Sequence, residues 1–258
     1  MPWDGKTTAG WGSLVNEIDG VINLAGENIG RFPWSEKNKH RFRQSRLDAG
    51  RALVKAIEEC QFKPRFFVQA SAVGYYGPHG DELVDESVRA GEDFSAILCR
   101  DWEASTQGVE NLGLRRVIIR TGIVLTNTGG VLPRMAFPSK LFMGGRLGSG
   151  NQGIPWIHSD DEVGAIQYLL ENESARGVYN LSAPNPVSNM EFMHSMAQVL
   201  WRPFWFHVPR QLLTSLLGEM SSLLLDGQFM VPRKLLDSGY KFKFEQVRPA
   251  LQDIFVGK

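Results

Sequence analysis

The sequence predicts an α/β protein with a doubly wound parallel sheet and a small, mostly helical C-terminal lobe. Two apolar, strand-like runs predict the sheet: Val21-Ile22-Asn23-Leu24 and Phe66-Phe67-Val68-Gln69-Ala70, each opening into a turn of small residues. Between them lie about forty residues with helical spacing, the strand–helix–strand order of a parallel crossover. Ligands of such sheets bind beyond the carboxyl ends of the strands, which is where both turns fall.

Each element has its own signal. A polar start and an apolar body make residues 19–24 a buried strand. Residues 35–60 carry helical spacing, with Ser35 as N-cap after Trp34 and with Leu47, Leu53, Val54 and Ile57 on one inward stripe. Residues 66–70 are the next strand. Residues 93–110 read as a helix with Phe94, Ile97, Leu98 and Trp102 on one side, and residues 116–120 return as a strand that turns at Thr121-Gly122. Gly129-Gly130 and the glycine-rich run 144–150 read as loops flanking a short helix near Met135. Trp156-Ile157-His158 is a brief strand, after which Ser159 or Asp160 caps a helix through Val163, Ile166, Leu169 and Leu170. Residues 177–181 are the last strand of the main sheet. A helix over 188–200, an aromatic stretch over 201–208 and short helices follow. The boundary between the two units falls near 181–186, dividing the chain into 1–182 and 183–258.

Composition narrows the function. With 258 residues, 43% of them hydrophobic, the chain can bury a full core. Lys+Arg and Asp+Glu number 28 each, which gives no electrostatic reason to expect nucleic acid or an anionic membrane as partner. Cys60 and Cys99 form neither a disulfide framework nor a metal-type spacing, so no metal is expected and a reducing, cytoplasmic compartment is. The N-terminus is polar rather than signal-like, and no apolar run approaches ~20 residues.

As a set, several motifs resemble a known family. VINLAG (21–26), QASAVGYYG (69–77) and WIHSDD (156–161) resemble the fourth strand, fifth strand and cleft-lining turn of the extended short-chain dehydrogenase/reductases, the epimerase/dehydratase branch with a Rossmann-type sheet. NLAGENI, SRL, GGRLGSG and AP-x-PV, with the tail segments GEMSSLLLDGQ and VPRKLLDSGYKF, resemble the subgroup called epimerase family proteins. The resemblance implies an NAD(P)-binding oxidoreductase acting on a small-molecule substrate, with NADP or NAD as cofactor. It implies that Leu24, Ala25 and Gly26 pack under the dinucleotide, with Asn28 offering an amide nearby. Small residues suit that place because they let ribose and pyrophosphate approach the backbone. Arg46 would reach toward a phosphate, as a forked and permanent cation can. Ser71 would donate to a substrate oxygen, and Val124 would lie near the nicotinamide.

Each residue also has a plainer reading. Leu24 and Ala25 could simply pack a strand end, and Arg46 could sit on a solvated helix face. His158 reads as a hydrogen-bonded core histidine, and Asp160 and Asp161 as helix caps. Trp201, Phe204, Trp205 and Phe206 read as packing within the C-terminal lobe rather than as a base-stacking platform.

The sequence departs from the family twice. The family's glycine-rich phosphate turn belongs to a first strand–helix–strand unit, and residue 1 falls beyond that unit, so the chain reads as lacking it. A sheet opened in this way exposes an edge and leaves a homo-oligomer open. The family's Tyr-x-x-x-Lys pair is also absent: its positions fall at Ser95 and Cys99. Tyr75 and Tyr76 are the nearby phenols that could exchange a proton instead. The alternative is a nucleotide-binding or regulatory protein that keeps the fold without catalysis.

Overall fold

A computed structural model describes residues 3–257. Its main sheet has four parallel strands, β1 (Gly20–Asn23), β2 (Phe66–Ala72), β3 (Arg115–Thr121) and β7 (Gly177–Leu181), side by side in that order. The element β4 (Ile123–Leu125) continues β3 after Gly122 and pairs in parallel with β6 (Trp156–His158). Helix α1 (Glu36–Glu59) crosses from β1 to β2, and α2 (Phe94–Ala104) lies between β2 and β3. Helix α4 (Ser159–Glu171) precedes β7.

The two faces of the sheet differ in chemistry. Val68, Ala70, Val117, Ile119 and Leu181 form an apolar face against Ile157 and the α4 residues Ala165 and Leu169. Strand alternation turns Asn23, Gln69, Ser71, Arg120 and Asn180 to the other face, where every one of them is buried. The doubly wound expectation holds, with one face dry and the other threaded by polar groups.

Local signals fix the helix starts. Ser35 accepts a hydrogen bond from the Asn38 N–H at 3.3 Å and Asp93 from the Ala96 N–H at 2.7 Å. The helix expected over 93–110 is divided, because α2 ends at Ala104 and a separate short helix spans Gly108–Asn111. The cap of α4 is neither Ser159 nor Asp160 but His158, whose Nδ1 accepts from the Asp160 N–H at 3.1 Å. An accepting Nδ1 must be unprotonated, and burial accordingly holds the His158 pKa below its ordinary value.

The glycine run at 144–150 is not wholly loop. Strand β5 (Gly144–Leu147), which follows α3 (Leu132–Lys140), pairs in parallel with β8 (Phe204–Val208) beyond α5 (Asn189–Val199). A Cβ on Gly145 would collide with the Phe206 carbonyl, so glycine is what allows this close pairing. The aromatic stretch differs from its expected packing role too. Phe204 packs on a core cluster, whereas Trp201, Trp205 and Phe206 are exposed.

Segments after residue 183 weave back into the earlier part of the chain. Val187–Ser188 pairs with Gly153–Ile154, and Phe229–Met230 pairs with Leu83–Val84. The final helix, α6 (Val247–Phe255), packs Leu251 and Ile254 into the core around Trp156 and Phe192.

Candidate functional site

The turn after β1 is built from side chains on two elements. Asn23 accepts from the Ala25 N–H at 3.2 Å and donates to Gln69 at 2.9 Å, so it shapes the turn and ties β1 to β2. Ser45 and Arg46 hold the turn from α1. The Ser45 hydroxyl accepts the Glu27 N–H at 3.0 Å, and Arg46 Nη1 donates to the carbonyls of Glu27 and Phe42, both at 3.0 Å. The Arg46 guanidinium lies over the Trp102 ring, 4.8 Å from its centroid, and burial lowers its pKa. Its Nε and Nη2 have no protein partner among the described residues.

A cavity of about 190 Å³ lies beyond the carboxyl ends of β1 and β2. Ile29, Arg46 and residues 72–74 form one side of it, with Ser95, Cys99 and Trp102 from α2. Ile123, residues 152–155 and the segments 222–224 and 226–228 close the other side. Gln228 secures the closing segment by donating to the Gly77 carbonyl at 2.6 Å.

Ser95 and Cys99 are one helical turn apart and face Gly74. The Ser95 hydroxyl has no hydrogen-bond partner among the described residues, which leaves it free toward the cavity. Burial, and then the nearby Glu103 carboxylate, push the Cys99 thiol up to about 12, so it is a neutral wall group at ordinary pH.

Beside the cavity, the polar face of the sheet forms a closed network. Ser71 donates to Glu103 Oε1 at 2.6 Å. Arg120 forks onto the same carboxylate, with Nε at 2.8 Å from Oε1 and Nη2 at 3.0 Å from Oε2. Arg120 Nη1 donates to the Tyr76 hydroxyl at 3.1 Å, and Tyr76 donates to Asn180 Oδ1 at 2.6 Å. Burial pushes the Tyr76 phenol up to about 12, partly opposed by Arg120.

The residues expected at the site are therefore distributed unevenly. Arg46 is part of the cavity wall, and Leu24, Ala25, Gly26 and Asn28 are on the adjoining turn. Leu24 is exposed, and Asn28 Oδ1 accepts from the Gly30 N–H at 2.8 Å. Ser71, Tyr75 and Tyr76 are all outside the wall, and the Ser71 and Tyr76 protons are engaged inside the fold. The Tyr75 ring stacks under Arg120, 3.2 Å from the guanidinium carbon, and its hydroxyl has no partner among the described residues. Val124 packs toward α4, while its neighbour Ile123 lines the cavity.

Sequence reasoning missed Ser45, although it adjoins Arg46 in the same motif. It also missed the Glu103–Arg120 pair, which joins a helix to a strand and leaves no local pattern.

A parallel sheet with small-residue turns at its carboxyl edge, facing a crevice under the first crossover helix, defines a Rossmann-type α/β protein. The chain belongs to the NAD dependent epimerase/dehydratase family, whose model matches residues 11–182. A second family model, a domain of unknown function (DUF1731), matches residues 208–254.

The chain is 38% identical to the epimerase family protein YfhF of Bacillus subtilis over 243 residues, covering 93% of this chain and 79% of that protein. It is 38% identical to the mouse epimerase family protein SDR39U1 over 262 residues, covering 98% and 88%. The crystal structure of human epimerase family protein SDR39U1 with NADPH superimposes with a TM-score of 0.86 at 33% identity, over 92% of this chain and 81% of that one.

Proposed function

We propose that this protein binds NADP(H) or NAD(H) and works as a cytoplasmic oxidoreductase of the epimerase/dehydratase type on a small-molecule substrate. The observation that carries this reading is the cavity at the strand ends, edged by an Arg46 guanidinium with two donors unspent. The NADPH in the human relative's structure supports it.

The turns pack closely on the neighbouring helices. A Cβ on Gly26 would lie 3.0 Å from Arg46 Cγ, and one on Gly74 would lie 3.1 Å from Ser95 Cβ, so glycine keeps both turns narrow. In this reading Leu24, Ala25, Gly26 and Asn28 border the ribose, and Arg46 Nε and Nη2 meet a phosphate oxygen. Val124 backs the wall that Ile123 offers to the nicotinamide. When bound, the cofactor supplies or takes up the hydride. Ser95 donates a hydrogen bond to the substrate oxygen. Ser71 and Tyr76 stiffen the β2 turn through Glu103, Arg120 and Asn180. Tyr75, with its free hydroxyl, exchanges the proton. Residues 1–182 supply the cofactor side and residues 183–258 the substrate side.

Titrating NADPH and NADH against nicotinamide fluorescence tests the reading, with saturable binding of at least one expected. Arg46→Ala should weaken that binding by about 1.5–3 kcal/mol, roughly tenfold or more in Kd, through lost charge-assisted hydrogen bonds. No response from the unaltered protein to either nucleotide would overturn it.

A second reading, binding without turnover, is favoured by the inward-turned hydroxyls of Ser71 and Tyr76 and by Cys99 at the position implied for the lysine. Tyr75→Phe separates the two readings. Lower turnover at unchanged cofactor affinity supports catalysis. Nucleotide binding with no cofactor oxidation across a panel of carbonyl compounds supports the second.

A further inference from the structure

We propose that the face formed by the loops after α3 and α5 docks onto an anionic phospholipid surface. Leu141, Phe142 and Met143 are exposed on one loop, and Trp201, 87% exposed, leads the other. Trp205 follows on β8, 68% exposed. The loops form one continuous surface. Trp205 Nε1 donates to the Phe142 carbonyl at 2.9 Å, and the Arg202 guanidinium stacks on the Phe142 ring at 4.6 Å. Arg202 Nε also reaches the Lys140 carbonyl at 3.4 Å.

Backbone geometry holds two of these aromatics outward at a cost. Phe142 and Trp201 have φ of 64° and 55°, the only positive values among the described non-glycine residues. Each stands just past a helix end, where glycine is the usual occupant because a Cβ is strained there. Neither aromatic repays that strain by burial, since Phe142 is 56% exposed and Trp201 more so.

Charge selects the occupant. The chain is neutral as a whole, yet no acidic residue occurs between Glu110 and Asp160 or between Glu191 and Glu219. These two stretches meet through the pairing of β5 with β8. Arg134, Lys140 and Arg202 lie on them, and none is ion-paired among the described residues. Arg248 lines the adjoining groove with Arg202. Among the described residues the acidic group there is Asp253, whose carboxylate lies 3.4 Å from His158 Nε2.

Exposed tryptophan and phenylalanine beside unpaired cations match an interface where rings enter the headgroup region and cations meet lipid phosphate. A second copy of this chain would bring like charges together. No helix among the described residues is long and apolar enough to cross a membrane, so the contact is peripheral.

Co-sedimentation of the full chain with vesicles tests the proposal, comparing phosphatidylcholine alone with phosphatidylcholine containing phosphatidylglycerol. Binding to the anionic vesicles only, weakening with salt, is expected. The double variant Phe142→Gly with Trp201→Gly should unfold at the same or a higher temperature, because glycine suits both backbones. It should lose about tenfold or more in vesicle affinity. Lys140→Gln and Arg202→Gln should each cost about fivefold and flatten the salt dependence. Equal retention by both vesicle types would overturn the proposal, as would undiminished binding by a folded glycine double variant. A dimer in lipid-free solution that the same substitutions dissociate would overturn it in favour of self-association.

Discussion

Replacing Arg120 with Met should cost the fold about 3–5 kcal/mol, as expected when one partner of a buried ion pair is removed. Arg120 on β3 is 3% exposed and gives two donors to Glu103 and a third to Tyr76. Burial opposes the Arg120 charge, but the Glu103 carboxylate more than offsets this and raises the guanidinium pKa. Without the arginine, Glu103 keeps one side-chain donor, the Ser71 hydroxyl, in a largely buried place. Its charge is then left nearly uncompensated in low dielectric, and the penalty falls on the native state alone. The Tyr75 ring loses the cation stacked over it as well.

Urea unfolding measures the effect directly. Replacing both partners with apolar residues, Arg120→Met with Glu103→Leu, should recover most of the loss, because no unpaired charge remains. A single-variant loss below about 1 kcal/mol would mean that the pair is hydrated rather than enclosed.

This network also marks the limit of what the sequence reveals. Residues 156–158 and 177–181 are legible as strands because short apolar runs between turns have few alternatives. Ser35 is legible as a cap because its side chain suits the free amide three residues on, whereas the same role of Asp93 emerges only in the fold. Glu103, Arg116 and Arg120 look like ordinary surface charges, and their burial depends on a helix and a strand meeting.

The same limit applies at the site. Arg46 stands out in SRL, but that its guanidinium holds the Glu27 carbonyl follows from how α1 lies under the β1 turn. Ser71 lies near the end of β2, just past the strand expected over 66–70, yet its proton direction is set by Glu103 across the layer. The glycines at 144 and 145 read as loop because a single parallel partner, sixty residues on, leaves no alternation to detect. Charge behaves likewise. The balanced total hides two acid-free stretches that become one cationic face only when β5 and β8 pair.

Glu162 should make the protein less stable as pH rises from about 4.5 to about 7. The residue is in the first turn of α4, and its carboxyl is enclosed between that helix and the end of β3. Oε1 accepts from the Thr121 hydroxyl at 2.9 Å, while Oε2 has neither solvent nor a partner. Burial pushes its pKa from 4.5 to about 7, with Thr121 opposing, and no cation is among the causes. The folded chain therefore binds a proton that the unfolded chain has released throughout this interval. Below it both states are protonated and no cost arises. Above it both are ionised, and the native state carries the full cost of a buried, unpaired charge. The shift corresponds to roughly 3 kcal/mol across the interval.

Other groups titrate over the same range, so the informative quantity is the difference from Glu162→Gln, which keeps the Thr121 contact and cannot ionise. Relative to the unaltered chain, that variant should gain roughly 3 kcal/mol between about pH 4 and about pH 8 in chemical denaturation. A difference that stays flat with pH would mean that water or a cation reaches Oε2. The dipole of the helix start would then offset part of the cost of an ionised Glu162.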